Sequence, residues 1–478
     1  MRRITIPLAV ICTLIAVQLL AKPPIKTPED TPLLGELDPY LLETLYKTQD
    51  KDAGLESIVD EGRFRELVEK HDLALFGGPM LGCVTPTSAR IWVRTPGPAE
   101  VWAVVAKAGE DASQELKSDT IQTTSENDYT ALLDIANLSP FSVYRYNIVV
   151  DGEKVYEQEL PEFRTYPTNG QKAKFTVGFG GGARYVPENE KIWDVIASYS
   201  PDAFLFLGDN VYIDLPKSRT KQRVHYYRRQ LRREYRHLTE STSIYAIYDD
   251  HDFGKDDCYG GPEIDDPAWK IPTWNVFTEN WNNPYYGGGE NQPGCWFDFY
   301  IGDVHVIMLD GRYYRDKAKR QGVDKENPSM LGEFQLAWLK QTLKNSKGTF
   351  KILASPVPWM EGVKGGKGRW DTWDGFNGER EEIYDLIAKH NIPGVVLLSA
   401  DRHRTDVYRI ERPNSYDFYE FETSRLTNRH KHGTIDKAIF SYNKGHFFGL
   451  LTFDLTKSDP EVTFECITMD KKSVYDLT

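Results

Sequence analysis

Six short runs beyond residue 174 are apolar almost without interruption: 175–179, 203–207, 243–247, 304–309, 350–354 and 395–398. A strand with one face in water alternates polar and apolar residues, and these do not. They require a sheet covered on both faces. Helical stretches lie between them, at 190–197, 226–233, 332–343 and 379–389. Strands alternating with helices in this way give an α/β class for residues 174–470, within an α+β / α/β chain overall.

The preceding segment reads differently. Residues 89–94, 101–105 and 144–150 have the β-rich composition of short strands, the last closed by an Asp151-Gly152 turn. Leu138, Pro140, Tyr144 and Tyr146 look like the tyrosine corner of a fibronectin-like β-sandwich. That gives a sandwich domain at 76–166, with a proline-bearing linker behind it. Residues 22–75 form a charged extension whose short amphipathic helices pack on the body.

Residues 1–21 carry Arg2 and Arg3 before an apolar run ending at Leu20, which is the pattern of a signal peptide. The expectation is export, to a periplasmic or extracellular location. Contact with a membrane would come only through an uncleaved signal. Four cysteines remain beyond that segment, without metal-ribbon spacing; Cys258 and Cys295 flank one long loop and are a candidate pair.

The net charge of −13 argues against a nucleic-acid partner held by backbone electrostatics. It is compatible with a small anionic substrate, because bound cations invert the field inside one cleft. No Gly-x-Ser-x-Gly elbow is present, which disfavours a serine hydrolase. Gly180-Gly181-Gly182 lacks the ending of a nucleotide-binding loop.

The chemistry-bearing residues fall just after the apolar runs, where ligands bind in α/β sheets. Gly208-Asp209-Asn210-Val211-Tyr212 follows one run, and a turn capped by Asp209 is the plainer alternative there. Tyr248-Asp249-Asp250-His251-Asp252 follows the next. Three acids and a histidine in so few residues repel one another unless cations or hydrogen bonds compensate, so this cluster favours function. Ser399-Ala400-Asp401-Arg402-His403 offers one carboxylate and one imidazole. Arg312, Arg315 and Arg184 are candidate phosphate clamps, with surface ion pairs as the alternative for each.

Together these segments, with Leu309-Asp310-Gly311-Arg312-Tyr313, Trp373-Asp374-Gly375-Phe376 and Gly445-His446-Phe447-Phe448-Gly449-Leu450, resemble the PhoD-like alkaline phosphatases. These belong to the calcineurin-like metallophosphoesterases. The resemblance runs from about Gly78 to Asp454. It implies an αββα sandwich and a centre of two metals: calcium with iron, or manganese or zinc in place of iron. By the same resemblance Asp209 bridges the metals, Tyr212 and His403 serve the first, and Asp250 and Asp401 the second. His251 is the catalytic residue beside the phosphate. Arg184, Arg312 and Asp256 are the expected substrate-binding residues.

The chain departs from the family where a Ser-Cys pair usually supplies a thiolate. Gly181-Gly182 stands there instead. Asp256 replaces a common Asn, and Ala400 a usual Gly. The expected function is an exported metal-dependent phosphoesterase acting on a small-molecule phosphate ester, monoester or diester. The alternative, motivated by the missing thiolate, is a catalytically impaired phosphate- or calcium-binding protein on the same fold.

Overall fold

The computed structural model describes residues 35–109, 115–317 and 327–478. The expected signal segment lies outside the described residues. Among those described, no helix is long and apolar enough to cross a membrane.

Two sheets carry the chain beyond residue 174. The first has six strands, in the order Ser243–Ile247, Ala203–Leu207, Lys174–Gly180, Phe447–Asp454, Glu461–Thr468 and Ser473–Leu477. Its first three strands are parallel, with Val177 opposite Ala203 and Ala203 opposite Ser243. The second sheet has seven, ordered Phe297–Ile301, Val304–Met308, Phe350–Ala354, Val395–Ser399, Phe418–Thr423, Thr405–Ile410 and Phe440–Tyr442. Every residue of Ala203–Leu207, Ser243–Ile247, Val304–Met308 and Val395–Ser399 is buried, as continuous apolar runs require.

The sheets meet face to face. Phe421 of one stacks on Phe464 of the other at 4.4 Å between ring centroids. Helices Gly332–Asn345 and Asn377–Lys389 cover the second sheet, setting Leu339, Leu343, Ile383 and Ile387 against Ile307, Leu353 and Leu397. Each such side chain contributes roughly 2 kcal/mol by leaving water. On the opposite side Trp193 of Ile192–Ala197 packs on Phe206. The result is the αββα sandwich.

Ahead of it, Gly77–Gly82, Ala89–Arg94 and Thr130–Ile135 form one small sheet. Glu100–Lys107 and Val143–Val150 form the centre of another. The Tyr144 hydroxyl accepts a hydrogen bond from the Ser139 backbone N–H at 2.7 Å, which is the tyrosine-corner contact. Helices Leu37–Leu41 and Gly62–Lys70 bury Leu37, Leu41, Phe64 and Leu67 against Val224, Tyr227 and Leu231.

Some expectations change. The single helix expected at 226–233 is two, Arg219–Gln230 and Arg233–Thr239. The first starts early because the Ser218 hydroxyl caps it, accepting from Lys221 N. The long loop flanked by Cys258 and Cys295 contains the helix Lys270–Asn280, held by buried Trp274, Val276 and Phe277. Cys258 and Cys295 are separate free thiols.

Candidate metal centre

Parallel strands in both sheets send their following loops to one edge, and an isolated bridge from Gly181 to Ser424 ties the two sheets together there. The sharp exit after Leu207 depends on Gly208, at φ +95°. A Cβ at that position would lie 2.5 Å from the Cβ of Asp249. Only glycine admits both the backbone angle and the approach.

Asp209, Tyr212, Asp401 and His403 all take left-handed backbone angles, with φ between 48° and 71°. Non-glycine residues rarely do so, and each costs of order 1 kcal/mol or more. Four in one cluster place their side chains at the expense of stability. The Tyr212 hydroxyl donates to Asp209 Oδ2 at 2.6 Å and lies 2.8 Å from His403 Nε2. With the phenol proton on Asp209, the hydrogen between Tyr212 and His403 belongs to the imidazole.

His251 stacks on Tyr212 at 4.3 Å between centroids. Its Nδ1 is 2.8 Å from Asp214 Oδ1, and its Nε2 is 3.9 Å from Asp256 Oδ1. Burial would lower the His251 pKa, but Asp250, Asp209 and Asp214 outweigh it and raise it. Burial pushes the Asp209 carboxyl well up, and the crowd of Asp250, Asp249 and Asp252 adds to it against His251.

The crowded Asp249-Asp250-His251-Asp252 segment divides its labour. Asp249 and Asp252 form a capping box on the one-turn helix Asp250–Phe253. Asp252 also accepts from the N–H groups of Asn210 and Val211. Asp250 and His251 remain at the cluster beside Asp209: one donor atom from each of the three lies within 4.8 Å of the others.

Arg312, read from sequence as a phosphate clamp, is fully buried. Its fork is engaged by Asp249 at 2.5 Å, Asp371 at 2.8 Å and the Cys258 carbonyl at 3.0 Å. It braces the acids from behind. Arg315 is buried on Asp371 in the same way. Arg184 is placed differently, with its guanidinium over the Tyr212 ring at 5.9 Å. Ser355, which also follows a strand, accepts from Trp373 Nε1 and donates to Val357 O.

Asp401 is not gathered with the Asp209 cluster's carboxylates. It faces Arg402 at 3.2 Å and Lys364 Nζ at 3.8 Å. Burial works against its charge, but Lys364 and Arg402 prevail and hold the carboxyl below the usual range. Lys364 also lies 3.2 Å from Asp257 and 3.0 Å from Asp371. Sequence reading passed over Lys364, Asp371 and Asp214. Asp214 had a signal, two residues beyond Tyr212; Lys364 sits in a glycine-rich loop with none.

These residues fit cations. Asp209 Oδ1, Asp249 Oδ2 and His403 Nδ1 are buried without a hydrogen-bond partner. A buried carboxylate oxygen left so costs several kcal/mol, which a bound cation recovers. Carboxylate, phenol and imidazole donors suit hard to borderline ions. Donor groups close enough to share an ion are Asp209/Asp250/His251 and Asp250/Asp257/Asp371, with a third set built on His403.

Residues 178–448 match the PhoD-like phosphatase family, and residues 72–168 match a domain of unknown function, DUF7800. Alkaline phosphatase D of Bacillus subtilis (strain 168) is 30% identical over 108 residues, covering 20% of this chain and 18% of that protein. The matched stretch is thus less than a fifth of that relative's length. A solved structure of PhoD superimposes with a TM-score of 0.66 at 16% identity, over 84% of this chain and 92% of the other. Purple acid phosphatase PPD1 from seeds of yellow lupin (Lupinus luteus) gives 0.60 at 12% identity, over 84% and 74%.

Proposed function

The chain belongs to the PhoD-like phosphatase family, and from that premise we propose that it is a metal-dependent phosphoesterase acting on small phosphate esters. One observation carries the reading. Asp209, Tyr212, Asp250, His251 and His403, from three separate strand ends, converge on one edge with Asp209 Oδ1 and His403 Nδ1 buried and unsatisfied.

Asp209, Tyr212 and His403 would hold one cation, and Asp250 the other, with Asp257 and Asp371 within reach of it. Asp401 would join that second set only by leaving Lys364 and Arg402. Calcium with iron, manganese or zinc is the proposed pair. When bound, such ions stabilise charge on the phosphoryl oxygens and lower the pKa of water. The remaining work falls to the chain. Asp214 fixes the ring of His251 through Nδ1, which leaves Nε2 to give a proton to the departing ester oxygen. Arg184, packed over Tyr212, neutralises charge on the transferring group. Asp256 stands at the rim beside His251 and restricts which esters enter.

One observation favours the binding-protein alternative. Lys364 already places an ammonium among Asp257, Asp371 and Asp401. A fixed cation there would compete with a metal at the second position. Export through residues 1–21 remains part of the proposal.

The test is hydrolysis of chromogenic mono- and diesters by purified protein with calcium and iron, manganese or zinc, with and without chelator, beside Asp209→Asn. Chelator-sensitive turnover that Asp209→Asn loses supports the phosphoesterase. No turnover with any metal or ester transfers the case to the binding protein.

A further inference from the structure

The loop after Lys174–Gly180 offers no side-chain donor to the centre. Its glycines do something else. The Gly181 carbonyl accepts from the N–H groups of Arg425 and Leu426, and the Gly182 carbonyl from Thr427 and Asn428. These bonds draw the 425–428 segment against the loop. Gly182 permits the approach: its φ is +68°, and a Cβ there would lie 2.8 Å from Arg425 N and 3.3 Å from His403 Cδ2. The absent side chain and the closed segment are one feature.

The chain then delivers two imidazoles. Asn428 Oδ1 accepts from the His430 N–H at 3.0 Å, and Asn443 Nδ2 donates to the His432 carbonyl at 2.8 Å. The rings of His430 and His432 lie 5.2 and 5.7 Å from that of His403, and 4.7 Å from each other. One ring nitrogen from each of the three falls within 4.8 Å of the others. His403 is 7% exposed, and its Nδ1 has no hydrogen-bond partner.

We propose that His430 and His432 join His403 in holding a divalent cation of the zinc type, supplying from the 425–432 segment the donors that the glycine loop cannot. Three neutral imidazoles select a borderline ion over calcium, whose ligands are oxygens. Bonds of about 2.1 Å in tetrahedral geometry place donor atoms about 3.4 Å apart. The triad is therefore open by at most about 1.4 Å, and His430, at the surface, closes it by a change of rotamer. The inference rests on His403 being a metal ligand, as in the proposed function, but not on turnover.

The experiment uses the full chain, stripped with chelator and titrated with Zn²⁺ calorimetrically, and with Co²⁺ by visible absorption. Wild type is compared with His430→Ala/His432→Ala and with Asp209→Asn. Neither replaced histidine is in the core, so far-ultraviolet circular dichroism should be unchanged. The expected result is loss of one Zn²⁺ equivalent from the double variant, or roughly a hundredfold weaker binding, with a weakened Co²⁺ band. Single replacements should give intermediate losses. Zn²⁺ stoichiometry and affinity within twofold of wild type in the double variant would overturn the proposal. Zinc held by the triad in a protein without esterase activity would leave this inference standing and remove the phosphoesterase. Chelator-sensitive turnover with unchanged zinc binding in the double variant would do the reverse.

Discussion

Replacing Arg312 with Met separates two roles for that residue. As a phosphate clamp, Arg312 would matter to substrate and little to the fold. As the buried brace seen here, it matters to the fold first. Its Nε pairs with Asp249 Oδ1, and Asp249 Oδ2 has no hydrogen-bond partner.

 The pairing with Asp249 Oδ1, at 2.5 Å, is the ion pair of that carboxylate, whose other partner is the Asp252 N–H of the capping box. Asp371 is less dependent, since Arg315 and Lys364 each stand 3.0 Å from it. The substitution therefore orphans one buried acid and not two. Breaking a buried pair from one side costs about 3–5 kcal/mol. The loss should also depend on pH. Burial pushes the Asp249 carboxyl up to about 8, against the pull of Arg312. A folded pKa above the unfolded value means that ionising this acid costs stability as pH rises. Without Arg312 the folded pKa climbs further, so the variant loses more on the alkaline side. The deficit should be below about 3 kcal/mol at pH 6, where Asp249 is protonated, and should grow above pH 8 by at most about 1.4 kcal/mol per pH unit. The assay is thermal denaturation of chelator-treated wild type and Arg312→Met at pH 6 and pH 9, with ester hydrolysis measured alongside. Midpoints within about 1 °C at both pH values, together with a raised KM, would refute the brace and restore the clamp.

Three further outcomes are expected. Asp214→Asn should lower kcat about tenfold with little change in KM and alter the pH profile, because Asp214 orients His251 and touches no substrate; an unchanged profile would sever Asp214 from the chemistry. Gly182→Cys should destabilise the protein by about 2 kcal/mol or more and recover no activity, since the position combines φ +68° with a 2.8 Å approach to Arg425 N; a more stable or more active variant would contradict the account of that loop. Lys364→Met should strengthen calcium binding by tenfold or more, read by calorimetry, because it removes the ammonium from Asp257 and from Asp371 Oδ2, while Arg312 and Arg315 still pair with Asp371 Oδ1; unchanged affinity would mean that the ammonium does not compete.

Much of the architecture could be read along the chain. Continuous apolar runs such as 203–207 and 395–398 can be buried on both faces only in a covered sheet, and both are strands without an exposed residue. Tyr144 announced its corner, because that contact is local in sequence. Loops after parallel strands emerge on one edge, so Asp209, Asp250, His251 and His403 were legible as neighbours before any coordinates. The sheet orders were not legible, since Phe447–Asp454 pairs with Lys174–Gly180 across more than half the chain.

What tertiary structure alone decided is which charged residue faces which. An arginine after a strand looks the same whether it greets a phosphate or two buried acids. The difference lies in Asp249 and Asp371, which are distant in sequence from Arg312 and adjacent only once the sheets pack. Lys364 meets Asp257 and Asp401 for the same reason. Gly182 read as a missing donor; folded, it is the space through which the segment bearing His430 and His432 reaches His403. Sequence sets the inventory of donors and the edge on which they gather, because strand burial and connection geometry are local and directional. Charge pairing is neither: it depends on distances between separate segments in a medium of low dielectric, and those exist only in the folded chain.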